Sequence, residues 1–285
     1  MRGFEPETER MMSANEANWD QRTPVHLASS FYGVDGSREP ESWFAGYEWE
    51  DLGELRGTDL AHLQCHLGVE TVALARRGAR VVGLDFSTES VLGARDVAER
   101  FGADVSYVRA NVYDAVAAFG GRDFDVIYTG KGALCYLPDL PAWADVVFAL
   151  LRPGGFVYLV EFHPLLYSLG VVPPADGAGE PLLRFDYLAG RGVEKRDATR
   201  TYTDGPALTS ARVAYEWRHG IGDVVTALAA AGLTIEVLRE DGALPWPRFG
   251  DMARGEDGWF RFPDSSPRIP LLYAIRARRP RETSA

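Results

Sequence analysis

The sequence has few cysteines and no long apolar run, and both absences narrow the kind of protein it encodes. It contains two cysteines in 285 residues, Cys65 and Cys135, too few for the disulfide framework of a small secreted domain. No stretch reaches the roughly 18 consecutive apolar residues that a membrane-spanning helix needs. The first residues contain several glutamates where a signal peptide has its apolar segment. We therefore expect a cytoplasmic protein without membrane attachment.

Basic residues are also fewer than acidic ones. Lysine and arginine number 30 against 41 aspartates and glutamates, which gives a net charge of −11 and an isoelectric point near 5.0. Such a field repels a phosphate backbone, so we expect a small-molecule partner and no nucleic acid. One basic cluster between residues 184 and 200 is interleaved with acids, and we interpret it as a solvated face or a lid.

Strand and helix patterns alternate through the middle of the chain. Apolar segments predict strands at residues 59–65, 80–84, 105–109, 124–128 and 156–161. The segments between them predict helices at residues 69–77, 87–101 and 141–151. The alternation returns in a helix at 222–231 and strands at 233–238 and 271–277. This pattern predicts an α/β fold with a seven-stranded, mostly parallel sheet.

The other segments are interpreted as additions to this core. Residues 1–56 predict an N-terminal cap with a helix at 5–22, and the aromatics at 24–49 form either a hydrophobic seam or one wall of a ligand pocket. The core spans residues 57–162 and is completed by residues 217–278. Residues 163–216 predict a lid or substrate-binding insertion with strand-like pieces at 182–188 and 200–203. Residues 279–285 predict a disordered tail.

Polar residues follow the first two strands, at the edge where an open parallel sheet binds its ligands. Gln64, His66 and Gly68 lie in the loop after the first strand, and Thr71 lies in the helix behind that loop. Asp85 ends the second strand, where its carboxylate can accept hydrogen bonds from both hydroxyls of a ribose. The alternative role of Asp85 is to cap the next helix.

The later strands are bordered by three further short motifs. Asn111-Val112 follows the third strand, Thr129-Gly130 follows the fourth, and Pro153-Gly154-Gly155 precedes the fifth. The order and spacing of these pieces resemble the class I S-adenosylmethionine-dependent methyltransferases, which have a Rossmann-like fold. His62 stands where that family usually has a carboxylate, and Gln64 and His66 stand in place of two of its glycines.

This resemblance implies a binding site for S-adenosylmethionine. The first loop would wrap the methionine part, Asp85 would hold the ribose, and the motif after the third strand would read the adenine. Trp19 and Tyr32 would belong to a cap over the cofactor. The cofactor-binding residues implied in this way are Gln64, His66, Gly68, Thr71, Asp85, Phe86, Ser87, Asn111, Val112, Thr129, Gly130, Trp19 and Tyr32.

Fewer residues are candidates for contact with the methyl acceptor. His163 follows the fifth strand. It is either a residue that acts as a base or orients the substrate, or a histidine that is hydrogen-bonded within the hinge of the lid. Tyr136, Trp246 and His26 are candidate substrate-binding residues. No metal is expected, because the spacing of His62 and His66 straddles a strand end and does not lie on one helix face.

These features predict a methyltransferase that acts on an oxygen, either a carboxylate or a hydroxyl, of a small metabolite. A homodimer is left open. One alternative is a noncatalytic module that binds S-adenosylmethionine, which the altered first loop favours. The other is an NAD-dependent oxidoreductase, because Asp85 also suits a dinucleotide fold, although only Gly68 remains of the three glycines such a fold needs.

Overall fold

A seven-stranded sheet forms the centre of the protein in the computed structural model, which describes residues 3–169 and 183–281. The strands, in chain order, are β1 (Asp59–Leu63), β2 (Arg80–Asp85), β3 (Val105–Arg109), β4 (Phe124–Thr129), β5 (Leu151–Phe162), β6 (Glu194–Asp197), β7 (Val213–Glu216), β8 (Thr234–Asp241), β9 (Ala253–Arg254), β10 (Phe260–Arg261) and β11 (Leu272–Arg278). The central sheet has the order β3-β2-β1-β4-β5-β11-β8.

Only β11 runs against its neighbours within this sheet. The pairs from β3 to β5 are parallel, and β11 is antiparallel to both β5 and β8. The prediction of a seven-stranded, mostly parallel sheet is therefore confirmed. The strand order reverses direction between β1 and β4, and such a switch point opens a crevice at the carboxyl ends of the strands.

Helices cover both faces of the sheet. They are α1 (Pro6–Ala28), α2 (Gly46–Leu52), α3 (Val69–Arg76), α4 (Thr88–Arg100), α5 (Ala115–Ala118), α6 (Leu140–Leu150), α7 (Pro164–Ser168) and α8 (Ile221–Ala230). Side chains of α3 and α4 pack in one buried cluster with Leu60 and Tyr128, and those of α6 and α8 pack in a second with Leu63 and Ile127. Alternate strand residues thus enter opposite cores, because their side chains point to opposite faces.

Helix α1 is longer than the sequence predicts. It continues past residue 22 to Ala28, with Pro24 inside it. A proline removes one backbone hydrogen bond from a helix, yet the last turn persists because Thr23, Val25 and His26 are buried there. No helix of residues 3–169 and 183–281 has the length and apolarity that crossing a bilayer demands.

The insertion after β5 contains two paired strands, which lie at other positions than the predicted strand-like pieces. Residues 183–188 and 200–203 are irregular, and β6 instead pairs with β7 in antiparallel register. The sequence of β6 is Glu-Lys-Arg-Asp, so it lacks the apolar residues that mark a strand. Its cross-strand contact is an ion pair between Arg196 and Glu216, 2.8 Å apart. Residue 182 lies outside the described residues, as do residues 282–285 of the predicted tail.

The end of the sheet is also more extensive than predicted. Strand β5 begins at Leu151, ahead of the predicted residue 156, and includes the Pro153-Gly154-Gly155 segment. Arg279 was predicted to open a disordered tail, but its backbone N–H donates to Gly155 and its carbonyl accepts from Gly154, both at 2.9 Å. Antiparallel pairing with β11 therefore extends the order at this edge.

Candidate active site

The loop after β1 adopts a left-handed backbone at three positions. The φ angles of Gln64, His66 and Gly68 are 56°, 48° and 67°. Side chains are uncommon in this region of conformation, which glycine adopts freely. Two side-chain hydrogen bonds offset the cost of this backbone conformation. Gln64 Nε2 donates to the Ala133 carbonyl at 2.9 Å, and His66 Nδ1 lies 3.1 Å from the Ser90 hydroxyl. The loop thus keeps a glycine-type shape although two of its residues have side chains.

Asp85 joins this loop to the end of β2. One carboxylate oxygen accepts from the backbone N–H of His66 and the other from that of Ser87, both at 2.9 Å. The residue is 5% exposed, and burial raises the pKa of Asp85 to about 6 against the effect of these hydrogen bonds. Each oxygen has a second lone pair, so Asp85 retains acceptor capacity toward a ligand.

Ser87, and not Asp85, caps helix α4. The Ser87 hydroxyl accepts from the Ser90 backbone N–H at 3.0 Å and donates to Asp20 at 2.6 Å. The capping alternative for Asp85 is therefore wrong. Because Ser87 is fully buried and its hydroxyl is bonded on both sides, this side chain fixes α1 to the end of β2. The neighbouring Phe86 carbonyl accepts from Arg109 Nε at 3.2 Å.

The motifs after β3 and β4 lie at the same edge. Asn111 Oδ1 accepts from the Tyr113 backbone N–H at 3.2 Å, and Val112 is buried beside it. Thr129 is fully buried, and Gly130 has room for no side chain, because an added Cβ would lie 2.6 Å from a Glu70 carboxylate oxygen. The parallel register of β1, β2, β3 and β4 therefore brings together the four segments predicted to bind the cofactor.

Thr71 has a different contact from the predicted one. Its hydroxyl lies 2.8 Å from Nδ1 of His62 inside the sheet. Burial lowers the pKa of His62 to about 4, so this histidine is neutral near pH 7. His62 and Thr71 thus satisfy each other beneath the loop, and a cofactor contact of Thr71 stays a prediction.

Helix α1 and the segment after it cover the loop. The Trp19 ring lies 4.8 Å from the His66 ring and 5.4 Å from the Tyr136 ring, and the Tyr32 ring lies 5.5 Å from His66. The hydroxyl of Tyr32 is bonded to that of Tyr202. Trp19 and Tyr32 therefore contact the loop that they were predicted to cap, and their contact with a cofactor stays a prediction.

A chain of hydrogen bonds runs from the insertion through this cap to α4. His26 Nε2 lies 2.6 Å from the Thr201 hydroxyl, and His26 Nδ1 lies 2.9 Å from Nε2 of His66. The His66 ring reaches Ser90, whose hydroxyl lies 2.9 Å from that of Thr23. Burial lowers the pKa of His26 and lowers that of His66 to about 3. Both imidazoles are therefore neutral near pH 7, and one ring donates its N–H to the free nitrogen of the other.

Both ring nitrogens of His163 have partners. Nδ1 accepts from the Leu165 backbone N–H at 3.0 Å, which caps helix α7. Since Nδ1 is an acceptor, Nε2 carries the proton that faces Glu240 at 2.8 Å. Burial lowers the pKa of His163. His163 is thus a helix cap bonded to β8, and both its catalytic role and its place in the hinge of a lid stay predictions.

A cavity opens where β5 ends, bounded by α7 and the residues after β7. None of the three predicted substrate-binding residues lines it: Tyr136 contacts Arg22 and Trp19, Trp246 packs on Phe162 at 5.3 Å, and His26 belongs to the hydrogen-bonded chain. The residues that line it include Cys135, Glu161, Tyr167, Tyr187, Trp217, Arg218, His219 and Tyr273.

Glu161, which is not among the predicted site residues, organises the loop after β4. Its carboxylate accepts from the backbone N–H groups of Gly132, Ala133 and Leu134, and from that of Phe162. Burial raises the pKa of Glu161 to about 7. An acid in the otherwise apolar β5 segment is a signal of a special role, but its partners could not be identified from the chain alone.

A second missed cluster surrounds Lys131. Its ammonium group is 5% exposed and lies 3.2 Å from carboxylate oxygens of both Glu48 and Glu70. It also donates to the Trp43 carbonyl at 3.1 Å. Burial raises the pKa of Glu48 to about 7. This cluster ties α2 and α3 to the loop after β4, so it fixes Gly130 and its neighbours in position.

Sequence comparison identifies relatives of the central part of the chain. Residues 61–157 match a family described as a methyltransferase domain. A ubiquinone biosynthesis O-methyltransferase of Psychrobacter arcticus is 33% identical over 158 residues, which is 54% of this chain and 56% of that protein. One from Cronobacter sakazakii is 30% identical over 136 residues, 46% of this chain and 55% of that protein. The chain thus spans little more than half the length of these relatives.

Structural comparison extends the similarity to most of the chain. An S-adenosylmethionine-dependent methyltransferase from Mesorhizobium loti superposes with a TM-score of 0.54 and 23% identity over 87% of this chain and all of that one. A putative S-adenosylmethionine-dependent methyltransferase from Listeria monocytogenes gives a TM-score of 0.58 and 16% identity over 84% and 97% of the two chains. These similarities show a shared fold.

Proposed function

We propose that this chain is a class I S-adenosylmethionine-dependent methyltransferase that methylates an oxygen atom of a small molecule, a proposal that its matched domain and its fold support. The observation that carries the proposal is the position of Asp85, a buried carboxylate at the carboxyl end of β2 that is bonded to the loop after β1, beside the switch point of the sheet. The relatives named O-methyltransferases support an oxygen acceptor. The net charge of −11 supports a small molecule over nucleic acid.

Two buried atoms fit the methionine end of the cofactor. Gln64 Oε1 and Thr129 Oγ1 lie at the ends of β1 and β4, and within the described residues neither has a hydrogen-bond partner. A buried acceptor without a donor is costly. The ammonium group of S-adenosylmethionine is such a donor, so this pair would hold it, while Asp85 would hold the ribose and Asn111 with Val112 the adenine.

When bound, S-adenosylmethionine supplies a methyl group already activated on a sulfonium. The residues of this chain therefore align the acceptor and exclude water, and few of them need to do acid–base chemistry. Trp19 and Tyr32 suit the exclusion of water, since their rings pack on His66 of the loop after β1, and the Tyr136 ring packs on Trp19.

The hydrogen bonding of His163 bears on whether the acceptor group is a hydroxyl or a carboxylate. A hydroxyl acceptor needs a base, and His163 could serve only after losing the hydrogen bond from Leu165. A carboxylate acceptor needs no base. The engaged ring of His163 therefore favours a carboxylate over a hydroxyl.

Calorimetry with S-adenosylhomocysteine, followed by a search for methylated products, tests the proposal. The full chain would be titrated with this nucleoside and then incubated with S-adenosylmethionine and a metabolite extract, whose components are compared by mass for the gain of one methyl group. We expect binding and a methylated product. Binding with no product would favour the noncatalytic module, and absence of binding would contradict both.

A further inference from the structure

Arg22, on helix α1, is a buried cation without a carboxylate partner. The residue is 7% exposed, and its guanidinium lies 5.2 Å from the centre of the Trp19 ring. Nη1 donates to the Tyr136 hydroxyl at 3.4 Å, which is longer than an ordinary hydrogen bond. Within the part of the chain that the structure describes, Nε is buried with no hydrogen-bond partner, and no carboxylate forms an ion pair with Arg22. A guanidinium keeps its charge when buried, so its lack of a counter-ion is costly.

The titratable groups beside Arg22 are neutral. Burial raises the pKa of Tyr136, and it raises the pKa of Tyr202 to about 12. Burial lowers the pKa of His26 well below its ordinary value and lowers that of His66 to about 3, and the charge of Arg22 lowers both further. Near pH 7 none of these four side chains supplies a negative charge to the guanidinium.

One carboxylate acts on Arg22 from a greater distance. Burial opposes the charge of Arg22, whereas two neighbouring phenols and, least of all, Glu216 raise its pKa. Glu216 is itself paired with Arg196 at 2.8 Å, so its charge is already compensated. The positive charge of Arg22 therefore has no counter-charge close by.

Arg22 borders the two loops that the proposed function assigns to the methionine end of the cofactor. Trp19 and His26 lie three residues before and four residues after it, on the same face of α1. Both contact His66 in the loop after β1. Tyr136, which accepts from Nη1, belongs to the helical turn that follows β4. The guanidinium is thus held at the sheet edge where methyl transfer is proposed.

We propose that Arg22 binds a carboxylate at the site of methyl transfer, with Nε and a terminal nitrogen donating to its two oxygens. The carboxylate belongs either to the amino-acid end of S-adenosylmethionine or to an acidic methyl acceptor. The inference rests on the proposed function, which it deepens by assigning the cation of the site. Gln64 Oε1 and Thr129 Oγ1, the unsatisfied acceptors at this edge, are suited to an ammonium group and leave the carboxylate to Arg22.

A matched pair of nucleosides tests the cofactor as the source of the carboxylate. S-adenosylhomocysteine would be compared, by calorimetry on the full chain, with its decarboxylated analogue, in which hydrogen replaces the carboxylate. If the cofactor is the source, we expect S-adenosylhomocysteine to bind at least about tenfold more tightly, because a hydrogen bond between charged groups contributes more than a neutral one. Arg22→Gln should reduce this ratio to about one and leave the affinity for the analogue unchanged.

A second pair of probes tests the acceptor as the source. Benzoate and benzamide would be titrated into the chain saturated with S-adenosylhomocysteine, since the rings of Trp19 and Tyr136 lie beside Arg22. A preference of about tenfold or more for benzoate, lost in Arg22→Gln, together with equal binding of the two nucleosides, would assign the carboxylate to the acceptor.

Arg10→Gln is the matched control, because Arg10 lies on the same helix and is exposed. It should retain every preference of the unmodified chain. Arg22→Met keeps most of the aliphatic stem and removes an uncompensated charge, so its midpoint of unfolding in urea should be unchanged or higher. It replaces Arg22→Gln in both comparisons if that variant does not fold.

Three results would overturn the inference. The first is a ratio of about one in both pairs of probes, and the second is a preference that Arg22→Gln retains. The third is failure of both Arg22 variants to fold, which would show that the guanidinium is needed for the structure. Each of these leaves the cofactor assignment intact as long as S-adenosylhomocysteine binds. Failure of both nucleosides to bind the unmodified chain would instead overturn the proposed function.

Discussion

The carboxylate of Asp85 accepts a hydrogen bond from the backbone N–H of His66 at 2.9 Å, so the end of β2 fixes the loop that follows β1. This bond shapes the loop, and the remaining lone pairs of Asp85 are those that we propose accept hydrogen bonds from the ribose. A change at Asp85 should therefore affect cofactor binding both through the shape of the loop and through the proposed hydrogen bonds to the ribose.

Replacing Asp85 with Asn should weaken binding of S-adenosylhomocysteine by about tenfold or more. The amide group would present hydrogens to one of the two N–H donors, and hydrogen bonds to a charged acceptor are worth about 1.5–3 kcal/mol each. Calorimetry measures the change. Asp104→Asn, at an exposed position, is the control and should bind normally. Near-normal affinity of the Asp85 variant would contradict the ribose assignment.

Gly68→Ala should destabilise the protein more than Gly102→Ala does. The two glycines have φ angles of 67° and 63°, so the backbone cost of a side chain is similar. An added Cβ at position 68 would lie 2.4 Å from the Tyr107 hydroxyl, whereas nothing lies within 4 Å at position 102. We expect a difference of about 1–3 kcal/mol in the free energy of unfolding, measured in urea. Equal losses would show that the loop relaxes freely.

His62 should make stability depend on pH below its ordinary pKa. Burial lowers the pKa of His62 to about 4 in the folded protein, so between pH 6.5 and pH 4 the unfolded chain binds a proton that the folded protein does not. Stability therefore falls as pH decreases through this window. His62→Gln should remove about 2 kcal/mol of the loss between pH 7 and pH 4.5. Denaturant unfolding at both pH values measures it, and parallel curves for the two proteins would refute the assignment.

His163→Asn should leave the pH dependence of methyl transfer unchanged. Asparagine is a good N-cap, so it can replace the bond from the Leu165 N–H. Removal of a true general base would instead slow transfer by about 100-fold or more. Rates across the pH range, with an acceptor found as described above, distinguish the two. A large loss of rate with an altered profile would restore the catalytic role predicted for this histidine.

The strands of the sheet could be predicted from the sequence because their apolar runs are local signals. Segments such as residues 80–84 and 105–109 coincide closely with β2 and β3. The β6–β7 hairpin could not be predicted in the same way. Its first strand is entirely charged, and it pairs through its backbone with β7, which is distant in sequence. The ion pair between Arg196 and Glu216, 20 residues apart, adds to this pairing.

The sequence likewise predicts one part of the candidate site and not the other. Asp85 and the loop residues follow strand ends, so topology alone places them at one edge. The environment of Arg218 depends on Glu194 and Tyr167, which are distant in sequence, and no short motif records such a contact. The hydrogen bond between His163 and Glu240 likewise joins residues 77 positions apart, so the sequence could not predict it.

Helix α1 is hydrogen-bonded to two distant parts of the protein. Asp20 holds it to Ser87 at the cofactor edge, while Asn15 pairs with the backbone of Tyr215 and Asn18 with that of Ala211, next to the strand that leads to Arg218. Helix α1 therefore links the end of β2 to the segment around β7. Displacement of α1 would break both sets of hydrogen bonds at once, so the proposed cofactor edge and the segment around β7 would open together.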